Sequence, residues 1–275
     1  DNTLTWNTMS GNNSNFSVNG SDLSDFIQNI DTSNTVNGKS IQYLVGMHDF
    51  TVDSSWDVGF LGLVNCTRVR VKDLILANND SGVLLAYSSC STIENVSVFY
   101  NWIGISVWYS SNNTISNCIA SDNTHAISLS GSSGNDLINN SVYGNYSSGI
   151  HLSTSNENHL TNNIVSACLM GIVLSNSSSS NTVAYNTVSD STYGIHTFLC
   201  SGNAIYLNNF TQNSNNVYPI DAANIWNSPE KILYTYNGKA YRSHLGNYWS
   251  DYTGSDANGN GIGDTPYIID SDKDN

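Results

Sequence analysis

The chain has 275 residues, a formal net charge of −14 and only eight Lys and Arg. That balance excludes nucleic acid and anionic membrane surfaces as partners, because both would be repelled. No apolar run approaches the roughly 20 residues of a membrane-spanning helix, so no membrane insertion is expected. No signal-peptide core is visible either, and the sequence reads as a secreted, extracellular chain whose leader has been removed.

Residues 1–18 open with the phrase Asn2-Thr3-Leu4-Thr5-Trp6-Asn7-Thr8-Met9, which returns later as Asn181-Thr182-Val183-Ala184-Tyr185-Asn186-Thr187-Val188. They are expected to form a first partial rung of a repeat. Residues 19–58 break the period. Gly20, the Asp22 to Asp31 stretch and Asn37-Gly38-Lys39 predict a short helical turn and a hairpin, an insertion projecting from the body.

From 59 to 216 the period is regular. Gly82-Val83-Leu84-Leu85, Gly104-Ile105-Ser106-Val107, Ala126-Ile127-Ser128-Leu129, Gly149-Ile150-His151-Leu152, Gly171-Ile172-Val173-Leu174 and Gly194-Ile195-His196-Thr197 recur every 22 or 23 residues. A fixed period of this length predicts a solenoid, in which each unit buries its apolar side against its neighbours. Leucine-rich repeats need runs of leucine and a helical return. These units instead alternate apolar and polar residues between Ser, Asn and Gly, which predicts short strands and turns. The expected fold is therefore all-β, a parallel β-helix. Its inward columns would be Val83 to Ile195, then Ile93, Ile115, Leu137, Leu160, Val183 and Ile205, then Val98, Ala120, Val142, Val165, Val188 and Phe210. Asparagines in register, such as Asn113, Asn135, Asn158, Asn181 and Asn203, are expected at the corners. Asn tolerates left-handed backbone and can bond its counterpart one rung away.

From Val217 the repeat stops and Tyr and Trp crowd in, so residues 217–275 are expected to cap the coil. The cap holds Asp256-Ala257-Asn258-Gly259-Asn260-Gly261-Ile262-Gly263-Asp264. Asp256, Asn258, Asn260 and Asp264 place side-chain oxygens at positions 1, 3, 5 and 9 of a tight loop, and Ile262 would add its carbonyl at position 7. This spacing predicts a structural Ca²⁺ site. Tyr267 stands where an EF-hand has its bidentate Glu, so Asp270, Asp272 or water would complete the shell.

Five cysteines have no metal-ligand spacing, and Cys66 and Cys90, near one corner of adjacent rungs, are the candidate disulfide. Asn-x-Ser/Thr sequons at Asn12, Asn65, Asn79, Asn95, Asn112, Asn145, Asn176 and Asn209 are candidate glycosylation sites, as in an exported glycoprotein.

The pieces Asn37-Gly38-Lys39-Ser40-Ile41-Gln42-Tyr43-Leu44, Leu63-Val64-Asn65-Cys66-Thr67 and Gly82-Val83-Leu84-Leu85-Ala86-Tyr87 resemble the NosD-like β-helix proteins. So do Leu245-Gly246-Asn247-Tyr248-Trp249-Ser250-Asp251-Tyr252 and Gly261-Ile262-Gly263-Asp264-Thr265-Pro266-Tyr267, the most specific part. The version is the one abundant on the surfaces of methanogenic archaea. The resemblance implies a right-handed parallel β-helix of the kind shared with polysaccharide lyases and hydrolases. The family is also known as periplasmic copper-binding, but six scattered histidines and three separate methionines make no soft-ligand site, so no copper is expected.

No catalytic constellation stands out. Arg68, Arg70 and Lys72 share one outward strand face, and His151 and His196 share an outward position two rungs apart. Carboxylates do not converge in register. Tyr87, Trp102, Trp108 and Tyr109 could stack on sugar rings or pack under the 19–58 segment. The expectation is a non-enzymatic, extracellular building block of a surface layer, sheath or filament, self-associating through coil ends or flanks. The alternative is a polysaccharide-binding or polysaccharide-cleaving β-helix protein, with carbohydrate as partner.

Overall fold

The computed structural model describes residues 2–269. Among these residues the strands form three long walls, of eleven, nine and eight strands, and two small two-stranded sheets. Apart from one antiparallel hairpin near the start of the eleven-stranded wall, consecutive strands of a wall lie one turn of the coil apart and pair in parallel. On the eleven-stranded long wall, Val83 faces Ile105, then Ile127, Ile150, Ile172 and Ile195 follow in register. The result is the expected all-β parallel β-helix, with rungs about 4.8 Å apart.

The three aliphatic columns fill the coil. Val83, Leu85, Ile93, Ile115, Val98 and Val142 and their counterparts on later rungs are buried. Gly171 shows how tightly the wall folds over this core. A Cβ there would lie 2.5 Å from the Gly194 carbonyl oxygen and 2.5 Å from Val188.

Asparagine ladders hold the corners. Asn135, Asn158, Asn181 and Asn203 are buried, and each side-chain nitrogen donates to the side-chain oxygen one rung on, at 3.1, 3.0, 2.8 and 2.8 Å. That oxygen also accepts the main-chain N–H of the preceding rung, as Asn158 Oδ1 does from Asn135 at 2.9 Å. The left-handed residue is not the ladder asparagine but the one before it. Asn112, Glu157, Ser180, Tyr185 and Leu207 all have φ between 55° and 61°. Ladder bonding fixes the corner so firmly that Tyr and Leu accept a conformation costing them about 1 kcal/mol or more.

The chain between 19 and 58 does not project as a whole. Lys39–Val45 pairs in parallel with Val58–Val64 in the long wall, and His48–Val52 joins the second wall. The Asn37-Gly38 hairpin forms, with both residues at positive φ, but its arms are long-wall strands. Residues before it fold back over the outside of that wall. Phe16 and Phe26, the latter in the short helix Leu23–Phe26, make a second core with Ile41, Tyr43, Phe60, Val64, Leu84 and Ala86. Alternation explains the choice: Leu61, Leu63, Val83 and Leu85 point into the coil, and their neighbours point out to this cover. Outward apolar residues at these rungs are the part of the pattern that no solvent-facing strand would carry.

At the other end Ala223–Ile225 extends the second wall and Tyr248–Trp249 the third. Trp249 stacks on Phe210 at 4.7 Å and on Tyr267 at 4.6 Å, closing the coil with an aromatic column. Burial and a hydrogen bond to Asp251 push the Tyr267 hydroxyl up to about 12.

Candidate functional site: the open face of the long wall

The cover over the long wall ends at Tyr87, Trp108 and Tyr109. Tyr87 stacks on Tyr109 at 5.2 Å and donates its hydroxyl to the Ser21 carbonyl at 3.0 Å, so these aromatics anchor the N-terminal segment. Beyond them the outward side of the wall is free. One column runs His125, Ser148, Met170 and Tyr193, and the next runs Ser128, His151, Val173, His196 and Tyr218.

These side chains touch. Trp102 meets the edge of His125 at 6.1 Å, and His125 and His151 lie 6.4 Å apart between ring centres. His196 stacks on Tyr218 at 5.2 Å, and Tyr218 on Tyr193 at 4.7 Å. His125 Nδ1 lies 2.7 Å from the Ser148 hydroxyl and His151 Nε2 lies 3.0 Å from the Ser175 hydroxyl. Burial among these neighbours, helped by the imidazoles of His125 and His196, pushes His151 down to about 4. Burial lowers His125 as well. His125 and His151 therefore stay uncharged to lower pH than an ordinary imidazole, beside flat aromatic rings.

The outward positions of His151 and His196 were legible from spacing; His125 was not. It sits one column over, where Ile103 and Met170 stand on other rungs, so alignment on the glycine of each repeat hides it. The cationic cluster is accounted for locally. Arg68 Nε and Nη2 donate to Asp49 at 2.6 and 2.7 Å, Arg70 pairs with Glu94, and Lys72 lies 3.6 Å from Asp73. None of these lies on the long wall.

The Ca²⁺ loop brings its side chains together at the cap. Asp256 accepts the N–H groups of Asn260 and Gly261 at 2.9 and 2.8 Å, and Asn260 Oδ1 accepts that of Ile262 at 2.8 Å. Asp264 accepts from Ala257 N–H and from the Asn258 amide, both at 2.6 Å. Tyr234 and Tyr241 hold the loop by its Asn260 and Gly259 carbonyls. The donor set is hard oxygen throughout and suits Ca²⁺ in chemistry. It contains only two carboxylates, and Asp270 and Asp272 lie outside the described residues. Among the described residues no three of His, Cys, Asp and Glu group together as a metal site.

Two expectations need correction. Cys66 is buried, its thiol on the Leu44 and Val64 carbonyls, whereas Cys90 is exposed on the far side of the backbone, so the pair does not meet. Asn79 and Asn145 are buried in a corner ladder and cannot accept a glycan; Asn12, Asn65, Asn95, Asn112, Asn176 and Asn209 are exposed.

Fold and face together define a parallel β-helix protein with one wall covered at its start and open, histidine-bearing and aromatic along the rest. Residues 58–254 match the family described as periplasmic copper-binding protein (NosD), and the chain belongs to the NosD family. No curated protein matches it in sequence. Among solved structures, the A-module of the Azotobacter vinelandii mannuronan C-5 epimerase AlgE6 is 15% identical with a TM-score of 0.50. The match covers 79% of this chain and 68% of that one. A mutant of the periplasmic alginate epimerase AlgG is 17% identical with a TM-score of 0.52, covering 70% of this chain and 56% of that one. The chain thus spans little more than half of AlgG. At these identities the likeness shows the fold.

The expectation that the chain is not an enzyme is overturned by this comparison. It rested on taking a bare, acidic solenoid for a building block, and the same coil is found in these two epimerases. The family description also raises copper. Met9, Met47 and Met170 stand in different parts of the coil: Met9 is on the long wall but in its first strand, many rungs from the histidines, Met47 lies between two strands, and only Met170 is on a rung next to a histidine. His125 and His151 each have a ring nitrogen on a serine hydroxyl. This donor set does not fit a soft-ligand copper centre, and no step below passes through copper. Among the described residues no helix is long and apolar enough to cross a membrane.

Proposed function

We propose that the chain acts on polysaccharide outside the cytoplasm, taking a glycan along the open face of the long wall with His151 as the general base. The supporting observation is the run of His125, His151 and His196 on one outward face, with His151 held neutral down to about 4 and aromatic rings beside it. A neutral imidazole next to a sugar-stacking ring can take a proton from the substrate in the transition state. Hydrolysis by two carboxylates is disfavoured, because the outward columns from His125 to Tyr218 contain no Asp or Glu. The periplasmic description of the family and the epimerase fold likeness support the same reading. We also propose that Ca²⁺ occupies the loop of Asp256, Asn258, Asn260, Ile262 and Asp264 as a structural ion of the cap.

The test is incubation with a panel of neutral and acidic polysaccharides in deuterated water, followed for new reducing ends, unsaturated products and deuterium incorporation. Turnover of at least one glycan is expected, with His151→Gln losing it at unchanged fold. Turnover of none, or equal turnover by His151→Gln, would overturn the assignment.

A further inference from the structure

The third wall carries a pattern that the long-wall site does not use. Its eight strands run from Ile75–Ala77 to Tyr248–Trp249, and none contains Asp, Glu, Lys or Arg. The strand charges of the coil lie almost entirely on the second wall, and the long wall's strands hold only Lys39, so what sets the third wall apart is that it combines the absence of charge with exposed apolar side chains. Large apolar residues are also exposed on it. Ile75, Ile119, Ile164 and Tyr143 keep 62%, 42%, 55% and 46% of their surface in solvent.

Register arranges them as a chequerboard. In one outward column Ile75, Ser97, Ile119, Ser141 and Ile164 succeed one another; in the other, Ala77, Phe99, Ser121, Tyr143 and Ser166 do. Each of these five rungs thus offers one large apolar group and one small residue, swapping columns at each step. Like groups recur every second rung, about 9.6 Å along the axis. The later rungs, Thr187, Ser189 and Thr211, continue the hydroxyl rows.

We propose that this wall is a second carbohydrate-holding surface, on which an uncharged, linear polysaccharide chain lies along the coil axis. Exposed apolar area of this kind marks an interaction surface, and its dimensions choose the occupant. Eight strands, seven of three residues and one of two, make a strip of about 10 by 34 Å. Two copies pressed together by it would bury about 700 Å², well short of the roughly 1,200 Å² of a stable protein interface. A strip that long and narrow suits a single polymer chain. Its apolar groups cover the C–H faces of sugar rings, and its hydroxyls meet theirs. Charge excludes an acidic polymer: the wall has no cation, and Asp122 and Asp190 stand at its corner. This surface is distinct from the long-wall face, and binding there does not depend on His151.

Affinity electrophoresis of the full chain in gels containing galactomannan, mixed-linkage β-glucan or alginate tests it. The wild type is expected to be retarded by a neutral polymer and not by alginate. Tyr143→Ser with Ile164→Ser should weaken that retardation at least tenfold at unchanged circular dichroism and melting temperature, while His151→Gln keeps it. The proposal is overturned if no neutral polymer retards the wild type, or if the double variant binds as the wild type does. It is equally overturned if sedimentation shows a wild-type dimer that the double variant converts to monomer, since a second copy then occupies the wall. Loss of turnover in His151→Gln with retained retardation separates the two sites.

Discussion

Replacing Asn158 by alanine tests whether the corner ladders hold the coil together. Its side chain is fully buried and makes four hydrogen bonds. The amide donates to the Ser132 carbonyl and to Asn181 Oδ1, both at 3.0 Å, and Oδ1 accepts from the Asn135 N–H at 2.9 Å and the Asn135 amide at 3.1 Å. Alanine leaves the Asn135 N–H and the Ser132 carbonyl buried without these partners. At about 1–3 kcal/mol for each of the two stranded groups, the loss should be about 2–6 kcal/mol. Serine at the same position should cost less, because Ser91 already serves in this column, accepting the Val69 N–H at 3.0 Å. Because a solenoid can unfold in parts, the assay is native-state hydrogen exchange alongside urea denaturation. Asn135 N–H should lose protection selectively in Asn158→Ala. If that amide stays protected and the midpoint barely moves, ladder bonding is not what fixes the corners.

Gly171→Ala should destabilise by about 2 kcal/mol or more, read from urea midpoints, because its Cβ would press on the Gly194 carbonyl of the next rung; a neutral result would mean the wall can open there. His151 has a folded pKa of about 4 against 6.5 unfolded, so the unfolded chain takes up the proton first. Its contribution is full above pH 6.5 and is lost as pH falls towards 4, by about 3 kcal/mol at most. His151→Gln should therefore lose less stability than wild type between pH 7 and 4.5, and equal slopes would refute the burial argument. Removing Ca²⁺ with a chelator should lower the melting temperature and expose residues 254–269 to proteolysis; identical melting and cleavage with and without chelator would refute the ion site.

The coil was legible because its information is periodic. Ile127, Leu137 and Val142 each sit in a column whose neighbours are the same residue type one period away, so a single rung predicts the rest. What the period does not encode is which side of a wall is covered. Phe60, Leu84 and Ala86 keep the inward-outward alternation but are apolar at outward positions, and the backfolded Phe16 and Phe26 explain them. Reading 19–58 as a projection missed this, since the hairpin at Asn37-Gly38 is equally good at a wall edge. The cysteine pair failed for a related reason. Cys66 and Cys90 are near in rung and corner, but one column points inward and the other outward, and proximity along the axis does not overcome that. Asn79 and Asn145 match the sequon by composition, yet their ladder position buries them.

The separation of columns also accounts for where function can reside. Inward residues are fixed by stacking: a change at Ile150 or Asn158 disturbs the rungs on both sides, so these positions are constrained to a few small aliphatic or amide types. Outward residues answer only to solvent and to their two wall neighbours. Each wall is therefore free to take its own chemistry, and the three differ sharply. The second wall carries the Arg70–Glu94 ion pair and the His159–Asp136 contact, which lie at the surface and contribute little to stability. The long wall concentrates imidazole and aromatic rings where the cover ends. The third has no charge at all. A coil of identical interior could not produce that division by stability alone, because solvated charge would serve equally well on all three walls. The third wall, uncharged along its strands and with Ile75, Ile119, Tyr143 and Ile164 exposed, is the one that solubility would least favour.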